Sequence, residues 1–154
     1  MFNIVLFEPE IPPNTGNIIR LCANTQSYLH LIEPMGFELS DKTMRRAGLD
    51  YINPTMIIMY KDFQEFLKLN KNINLYALST KGKIQYHKVA YKKNDFFMFG
   101  PETRGIPQSI RKDIGNEKVL KIPMVADNRS INLANTVSIV LFEAWRQNNF
   151  KNGI

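Results

Sequence analysis

A chain of 154 residues, 44% apolar and 22% charged, has the make-up of one globular domain with one core, and its formal net charge of +6 favours a polyanionic partner without requiring one. The lone Cys22 excludes an internal disulfide, and with only His30 and His87 to accompany it no metal site is expected. No apolar run is long enough to cross a bilayer, and the first residues lack the basic stretch and cleavage site of a signal peptide, so a cytoplasmic chain with no membrane partner is expected.

In chain order, the apolar run Phe2–Phe7 predicts a first strand. Pro12 and Pro13 stiffen the approach to a helix over Thr15–Thr25, which Asn14 or Thr15 can cap; its exposed N–H groups favour an anion, and Arg20 lies about one and a half turns inside. Cys22, between Leu21 and Ala23, reads as a packed core residue rather than a reactive thiol. A strand over Tyr28–Ile32, a helix over Asp41–Ala47 and a strand over Thr55–Tyr60 follow. Asp62, with Glu65 three residues on, marks the start of a helix reaching Leu69. Strands are then predicted over Ile73–Ser79, Asp95–Phe99 and Lys118–Ile122, with helices over Pro107–Asp113 and Asn132–Gln147.

The polar stretch Lys81–Lys93 reads as a loop, in which Tyr86, His87 and Tyr91 supply its own packing or, alternatively, a surface for a partner. The strands are short, continuous apolar runs, as in sheets covered on both faces. The fold class is therefore α/β: a mostly parallel six-stranded sheet covered by helices on both faces. The last helix carries an unusually broad apolar stripe: Leu133, Ala134, Val137, Val140, Leu141, Ala144 and Trp145, extended by Ile139 and Phe142. It is either deeply buried or shared with a second copy, which makes a homodimer plausible.

Three segments sit where strands end: Asn14-Thr-Gly-Asn-Ile-Ile-Arg20, Phe99-Gly-Pro-Glu-Thr-Arg-Gly-Ile-Pro107, and the stretch from Ile122-Pro-Met124 to Arg129-Ser-Ile-Asn-Leu-Ala-Asn135. In open parallel sheets, ligands bind outside the carboxyl ends of strands. Gly100 lets backbone approach a ligand, and Arg104 offers a planar fork to phosphate or carboxylate; a plain strand-to-helix turn has the same composition. Ile122, Pro123 and Met124 offer apolar walls beside free backbone groups, which suits an adenine ring. Ser130 and Asn132 can cap the last helix, with or without touching a ligand. The chain has no dinucleotide-binding glycine fingerprint, no phosphate-loop Gly-Lys-Ser/Thr and no Gly-x-Ser-x-Gly, so an oxidoreductase, an NTPase and an α/β-hydrolase all lose ground.

In this order and spacing the three segments resemble the SPOUT superfamily of trefoil-knotted RNA methyltransferases. The likeness is strongest to its branch that methylates tRNA ribose, and there to the small enzymes acting on cytidine or uridine at the wobble position, 34. Asn3 to Asn24, Glu33-Pro-Met-Gly36, Arg45-Arg-Ala-Gly-Leu-Asp-Tyr51 and Glu143-Ala-Trp-Arg146 extend it over essentially the whole chain. The resemblance implies S-adenosyl-L-methionine as methyl donor without a metal, the 2′-hydroxyl of the wobble nucleotide in a tRNA anticodon stem-loop as acceptor, a knotted carboxyl-terminal half and a homodimer. It places Leu78, Gly100, Ile122 and Ser130 in the donor pocket with Met124 nearby, Asn14 as the first-motif asparagine, and Arg20 as the catalytic residue on the acceptor side.

Arginine is a poor base, so Arg20 is expected to hold the adjacent phosphate and stabilise the emerging alkoxide while phosphate or water takes the proton. Lys42, Arg45, Arg46, Arg104 and Arg129 are candidates for contacts with the tRNA backbone, against plain solvent exposure. The rival readings are a non-catalytic RNA-binding protein of the same fold, a 2′-O-methyltransferase of ribosomal RNA, and a structural dimerisation module.

Overall fold

The protein is described from a computed structural model covering residues 1–39, 56–126 and 128–154. Its elements run β1 (Asn3–Phe7), α1 (Pro12–Thr25), β2 (Tyr28–Ile32), β3 (Ile57–Tyr60), α2 (Phe63–Leu69), β4 (Leu75–Leu78), β5 (Ile84–Gln85), β6 (Phe96–Phe99), α3 (Gln108–Ile114), β7 (Val119–Lys121) and α4 (Leu133–Gln147). The strands pair in the order β3-β2-β1-β6-β4-β7-β5, every ladder parallel.

Side chains alternate across each strand, so a strand buried on both faces must be apolar at every position. In β1, Ile4 and Leu6 face one core, where Ile18, Ile19 and Cys22 of α1 and Val137, Val140 and Leu141 of α4 cover the sheet. Val5 and Phe7 face the other, where Phe63 and Phe66 of α2 and Ile106 and Ile110 beside and within α3 do the same. β4 and β6 divide likewise: Leu78, Phe97 and Phe99 on the first side, Ala77, Phe96 and Met98 on the second.

Among the described residues the sheet has seven strands rather than the expected six. The additional one, Ile84–Gln85, pairs with Leu120–Lys121 inside the stretch read from sequence as a loop. Two residues are too few to leave a period in the sequence. The reading of Tyr91 as packing holds: it is buried, meets Tyr76 and Phe97 edge to face, and its hydroxyl donates to the Tyr86 carbonyl. The predicted helix over Asp41–Ala47 lies outside the described residues, as does Thr55 at the start of the third predicted strand.

Helix starts differ in informative ways. Asp62 caps α2, accepting from the Glu65 N–H at 2.8 Å, while the Glu65 carboxylate returns to the Lys61 N–H at 2.7 Å. Asn132 caps α4 by accepting from the Ala134 and Asn135 N–H groups. Neither Asn14 nor Thr15 caps α1, which begins three residues earlier than predicted, at Pro12, with no side-chain cap. Prolines at the first two helical positions bring no N–H groups, so there is little to cap.

Cys22 is 2% exposed, and burial pushes its thiol up to about 12, which makes it an inert core residue. At the amino ends of the strands a second polar group is buried: Asn3, His30 and Asp95. Asn3 Oδ1 can only accept, so His30 Nε2–H donates to it at 3.2 Å and Nδ1 accepts from the Tyr60 hydroxyl at 2.8 Å. Burial holds the His30 imidazole down at about 4. Among the described residues no helix is long and apolar enough to cross a membrane.

Candidate active site

β1 and β6 are neighbours, yet the helices after them go to opposite faces: α1 packs with the first core and α3 with the second. The chain must part at that point, and a crevice opens beyond the carboxyl ends of the strands. A cavity of about 490 Å³ lies there. Its walls come from the end of β4 (Leu78 to Lys81), the turn after β6 (Phe99 to Ile106), the segment after β7 (Ile122 and Met124), the lead into α4 (Ser130 to Leu133), and Ile11 and Asn14 at the start of α1.

Leu78, Gly100, Ile122 and Ser130 therefore line one cavity, with Met124 beside them. Leu78 is 7% exposed and presents an apolar edge, Ile122 is half-buried and Ser130 is exposed. Gly100 is required by the fold of the turn. A Cβ there would lie 2.4 Å from the Ile106 nitrogen and 2.5 Å from the Gly105 carbonyl carbon, both backbone atoms that cannot swing aside. Gly105, at φ +66°, takes a left-handed conformation and donates its N–H to the Pro101 carbonyl at 2.9 Å, which closes the turn.

Arg20 is not among the lining residues. It sits on the exposed side of α1, eight residues past Pro12, or about 12 Å along the axis at the α-helical rise. The sequence estimate of one and a half turns was short because α1 starts earlier than predicted.

Asn14 turns its side chain to the cavity instead of capping. Its Nδ2 donates to Glu102 Oε1 at 3.0 Å and its Oδ1 accepts from Asn132 Nδ2 at 2.9 Å. Glu102 also accepts the Glu10 N–H at 2.9 Å and the Ile11 N–H at 3.2 Å. Glu10 answers across the same gap, accepting the Thr103 N–H at 3.0 Å and the Thr103 hydroxyl at 2.7 Å. These hydrogen bonds hold its carboxyl below the usual range. Sequence reasoning missed Glu102: a carboxylate inside a glycine-proline turn carries no spacing signal, and its partners lie about 90 residues away in the chain.

Of the proposed phosphate-binding cations, Arg104 lines the cavity but is already engaged, with Nη2 2.7 Å from Glu8 and Nε 3.3 Å from Glu10. Arg129 is exposed, and Lys42, Arg45 and Arg46 lie outside the described residues. Lys81 and Arg111, which the sequence did not single out, also line the cavity. Among the described residues no group of three or more His, Cys, Asp or Glu side chains is placed to hold a metal ion.

A cavity of this size, walled by apolar side chains such as Leu78, Phe99 and Ile122 and by about as many polar ones, suits a small organic ligand with polar edges. Known proteins share the fold. The chain matches the SpoU rRNA Methylase family over residues 1–142. It is 56% identical over 147 residues to the tRNA (cytidine(34)-2'-O)-methyltransferase of Escherichia coli strain K12, a match covering 96% of this chain and 94% of that protein. A structure solved for insight into the 2-OH methylation of C/U34 on tRNA superposes with a TM-score of 0.88 at 36% identity, covering 98% of both chains. The SpoU methyltransferase AviRb from Streptomyces viridochromogenes, solved in complex with AdoMet, shares the fold at a TM-score of 0.81 and 21% identity, over 96% of this chain and 57% of that one. The parallel sheet, the cavity at its carboxyl end and these likenesses agree, and the chain belongs to the SpoU rRNA Methylase family.

Proposed function

We propose that the protein is a tRNA 2′-O-methyltransferase that transfers a methyl group from S-adenosyl-L-methionine to the ribose of the wobble nucleotide, cytidine or uridine 34, in the anticodon stem-loop. The observation that carries the reading is the convergence of Leu78, Gly100, Ile122 and Ser130 on one cavity at the switch point of a family sheet. The identity of 56% to an enzyme named for that nucleotide supports the substrate.

The cavity fits the donor. Leu78 and Ile122 would flank the adenine, and the backbone at Gly100 and the Ser130 region would meet its polar edge. The donor, when bound, supplies a methyl group already activated by a sulfonium charge. The task left to the protein is alignment, which suits walls made of backbone and braced turns. Arg20 is assigned to the acceptor. Its place outside the cavity supports a role with RNA rather than with the donor: it holds the phosphate beside the reacting ribose and stabilises the alkoxide, while phosphate or water takes the proton.

The chain works as one domain, in the cytoplasm, as a homodimer. The dimer is supported by an apolar cluster left on the surface, where Phe142, 45% exposed, meets Trp145 edge to face and Trp145 meets Phe150. A knotted carboxyl-terminal half belongs to the same reading and rests on the family likeness alone. The test is incubation with tRNA and labelled S-adenosylmethionine, then mass-spectrometric mapping of the methylated nucleotide. Methyl on the 2′-oxygen of nucleotide 34 is expected. Methyl at another nucleotide only, or tRNA binding without transfer, contradicts the reading.

A further inference from the structure

We propose that Arg111 is a specificity-determining residue for the methyl donor, and that its guanidinium receives the carboxylate at the end of the donor's methionine chain. The inference rests on the function proposed above and deepens it. Three cations line the cavity: Lys81, Arg104 and Arg111. Arg104 is held by Glu8 and Glu10, and Lys81 is exposed. Arg111 differs from both. It is half-buried in the wall, and among the described residues it has no ion pair. Glu102, the one carboxylate in the described lining, bonds to the Glu10 and Ile11 N–H groups and to Asn14 instead.

Local structure sets how the guanidinium is presented. Arg111 lies in the first turn of α3, where its N–H donates to the Pro107 carbonyl at 3.1 Å. Its neighbour Ile110 is buried in the second core, which fixes the roll of the helix. The Arg111 side chain folds back, and Nε–H donates to the Ile106 carbonyl at 3.1 Å. That bond uses one donor and holds the plane of the group. The edge formed by the two Nη nitrogens has no protein partner among the described residues. This edge matches a carboxylate through two parallel hydrogen bonds.

A guanidinium taken part of the way out of water without a counter-charge is costly, and an arriving anion offsets that cost. S-adenosylmethionine brings one anionic group, its carboxylate, together with an ammonium and a sulfonium. Arg111 repels the last two and favours the first, so it selects the end of the donor that it meets. An RNA phosphate is the other available anion. A strand at the cavity mouth would meet the exposed Lys81 and Arg129 first, whereas Arg111 is recessed in the wall. The carboxylate takes no part in the transfer, so the contact persists from bound donor to bound product. Binding of that kind lowers KM without raising kcat.

The test uses the full chain, with S-adenosylmethionine and its decarboxylated form as probes and Arg111→Met and Lys112→Met as variants. Lys112 is the exposed neighbour of the same charge and lies outside the lining. In isothermal titration the parent should bind the decarboxylated form on the order of 10- to 100-fold more weakly, the worth of hydrogen bonds to a charged group. Arg111→Met should bind S-adenosylmethionine more weakly by the same factor and should hold the two forms within about twofold of each other. Lys112→Met should keep the parent's preference. With tRNA as acceptor, Arg111→Met should raise KM for the donor by that factor, while kcat at saturating donor falls by less than about threefold.

Equal binding of the two forms by the parent overturns the proposal, and that comparison needs no variant to fold. A preference that survives in Arg111→Met also overturns it. So does an equal loss in Lys112→Met, which would point to a general field rather than a contact. A salt dependence of tRNA affinity that weakens in Arg111→Met while the donor preference stays intact would assign the residue to RNA. A parent chain that binds neither form would instead overturn the proposed function, and this inference with it.

Discussion

The two ends of the sheet carry similar chemistry to different ends. At the amino end, Asn3, His30, Asn74 and Asp95 form a closed polar cluster in which each side chain is satisfied by its neighbours: His30 by Asn3 and Tyr60, and Asp95 by Asn74 Nδ2 at 2.9 Å and the Lys92 N–H at 2.7 Å. At the carboxyl end, Asn14, Glu102 and Asn132 are bonded as completely, but along the rim of a cavity. Amides and carboxylates alone do not mark a site. The difference is where the chain parts: only at the carboxyl end do the helices after β1 and β6 leave to opposite faces. The amino-end cluster is expected to govern stability, and the carboxyl-end rim to govern turnover.

The sharpest way to break that contrast is at the rim. Arg20→Ala should lower kcat by on the order of 100- to 1,000-fold, the cost of losing a stabilising donor at a developing oxyanion. Its dissociation constant for S-adenosylmethionine should stay within about twofold, since the residue lies outside the cavity. Equal losses in turnover and donor affinity, measured by single-turnover kinetics and calorimetry, would return Arg20 to the donor pocket. Gly100→Ala is next. Its Cβ meets backbone, so the turn must move by an appreciable fraction of an ångström, and transfer should fall about 100-fold. Parental activity in this variant would mean that the turn takes no part.

At the other end, the contrast is sharpened by pH. Folding holds the His30 imidazole at about 4, below its ordinary 6.5, so between those values the unfolded chain binds the extra proton and stability falls as pH falls. The whole effect is at most roughly 3 kcal/mol, from the linkage between pKa and free energy. His30→Gln should be less stable at neutral pH but should lose less stability on acidification from pH 7 to 5, in thermal melts followed by circular dichroism. Matching pH slopes in parent and variant would remove His30 from the account. The smallest effect concerns RNA affinity. Arg129→Ala should reduce the slope of log affinity against log salt by about 1. Arg104→Ala should change it less, because Glu8 and Glu10 already hold that guanidinium.

Much of the fold was legible because buried parallel strands must be apolar throughout: Phe2–Phe7 and Phe96–Phe99 announce themselves. Asp62 and Asn132 were legible as caps because capping is a local act. β5 was not, being two residues long and held by its partner rather than by its own pattern. At the rim, Gly100 could be singled out from its place after an apolar strand. Leu78 could not be told from core by its residue type, and only the family likeness drew it out. Glu102 escaped altogether, since its meaning lies in three donors at the end of the neighbouring strand, about 90 residues away in the chain.

The central claim is that the cavity bounded by Leu78, Gly100, Ile122 and Ser130 receives the methyl donor. Isothermal titration of the purified chain with S-adenosylmethionine tests it most directly, beside a Ser130→Phe variant in which a large ring at an exposed position fills the cavity. Saturable heat at one site per chain that vanishes in the folded variant is the predicted result. No heat with the folded parent, or equal binding by both, would contradict the account.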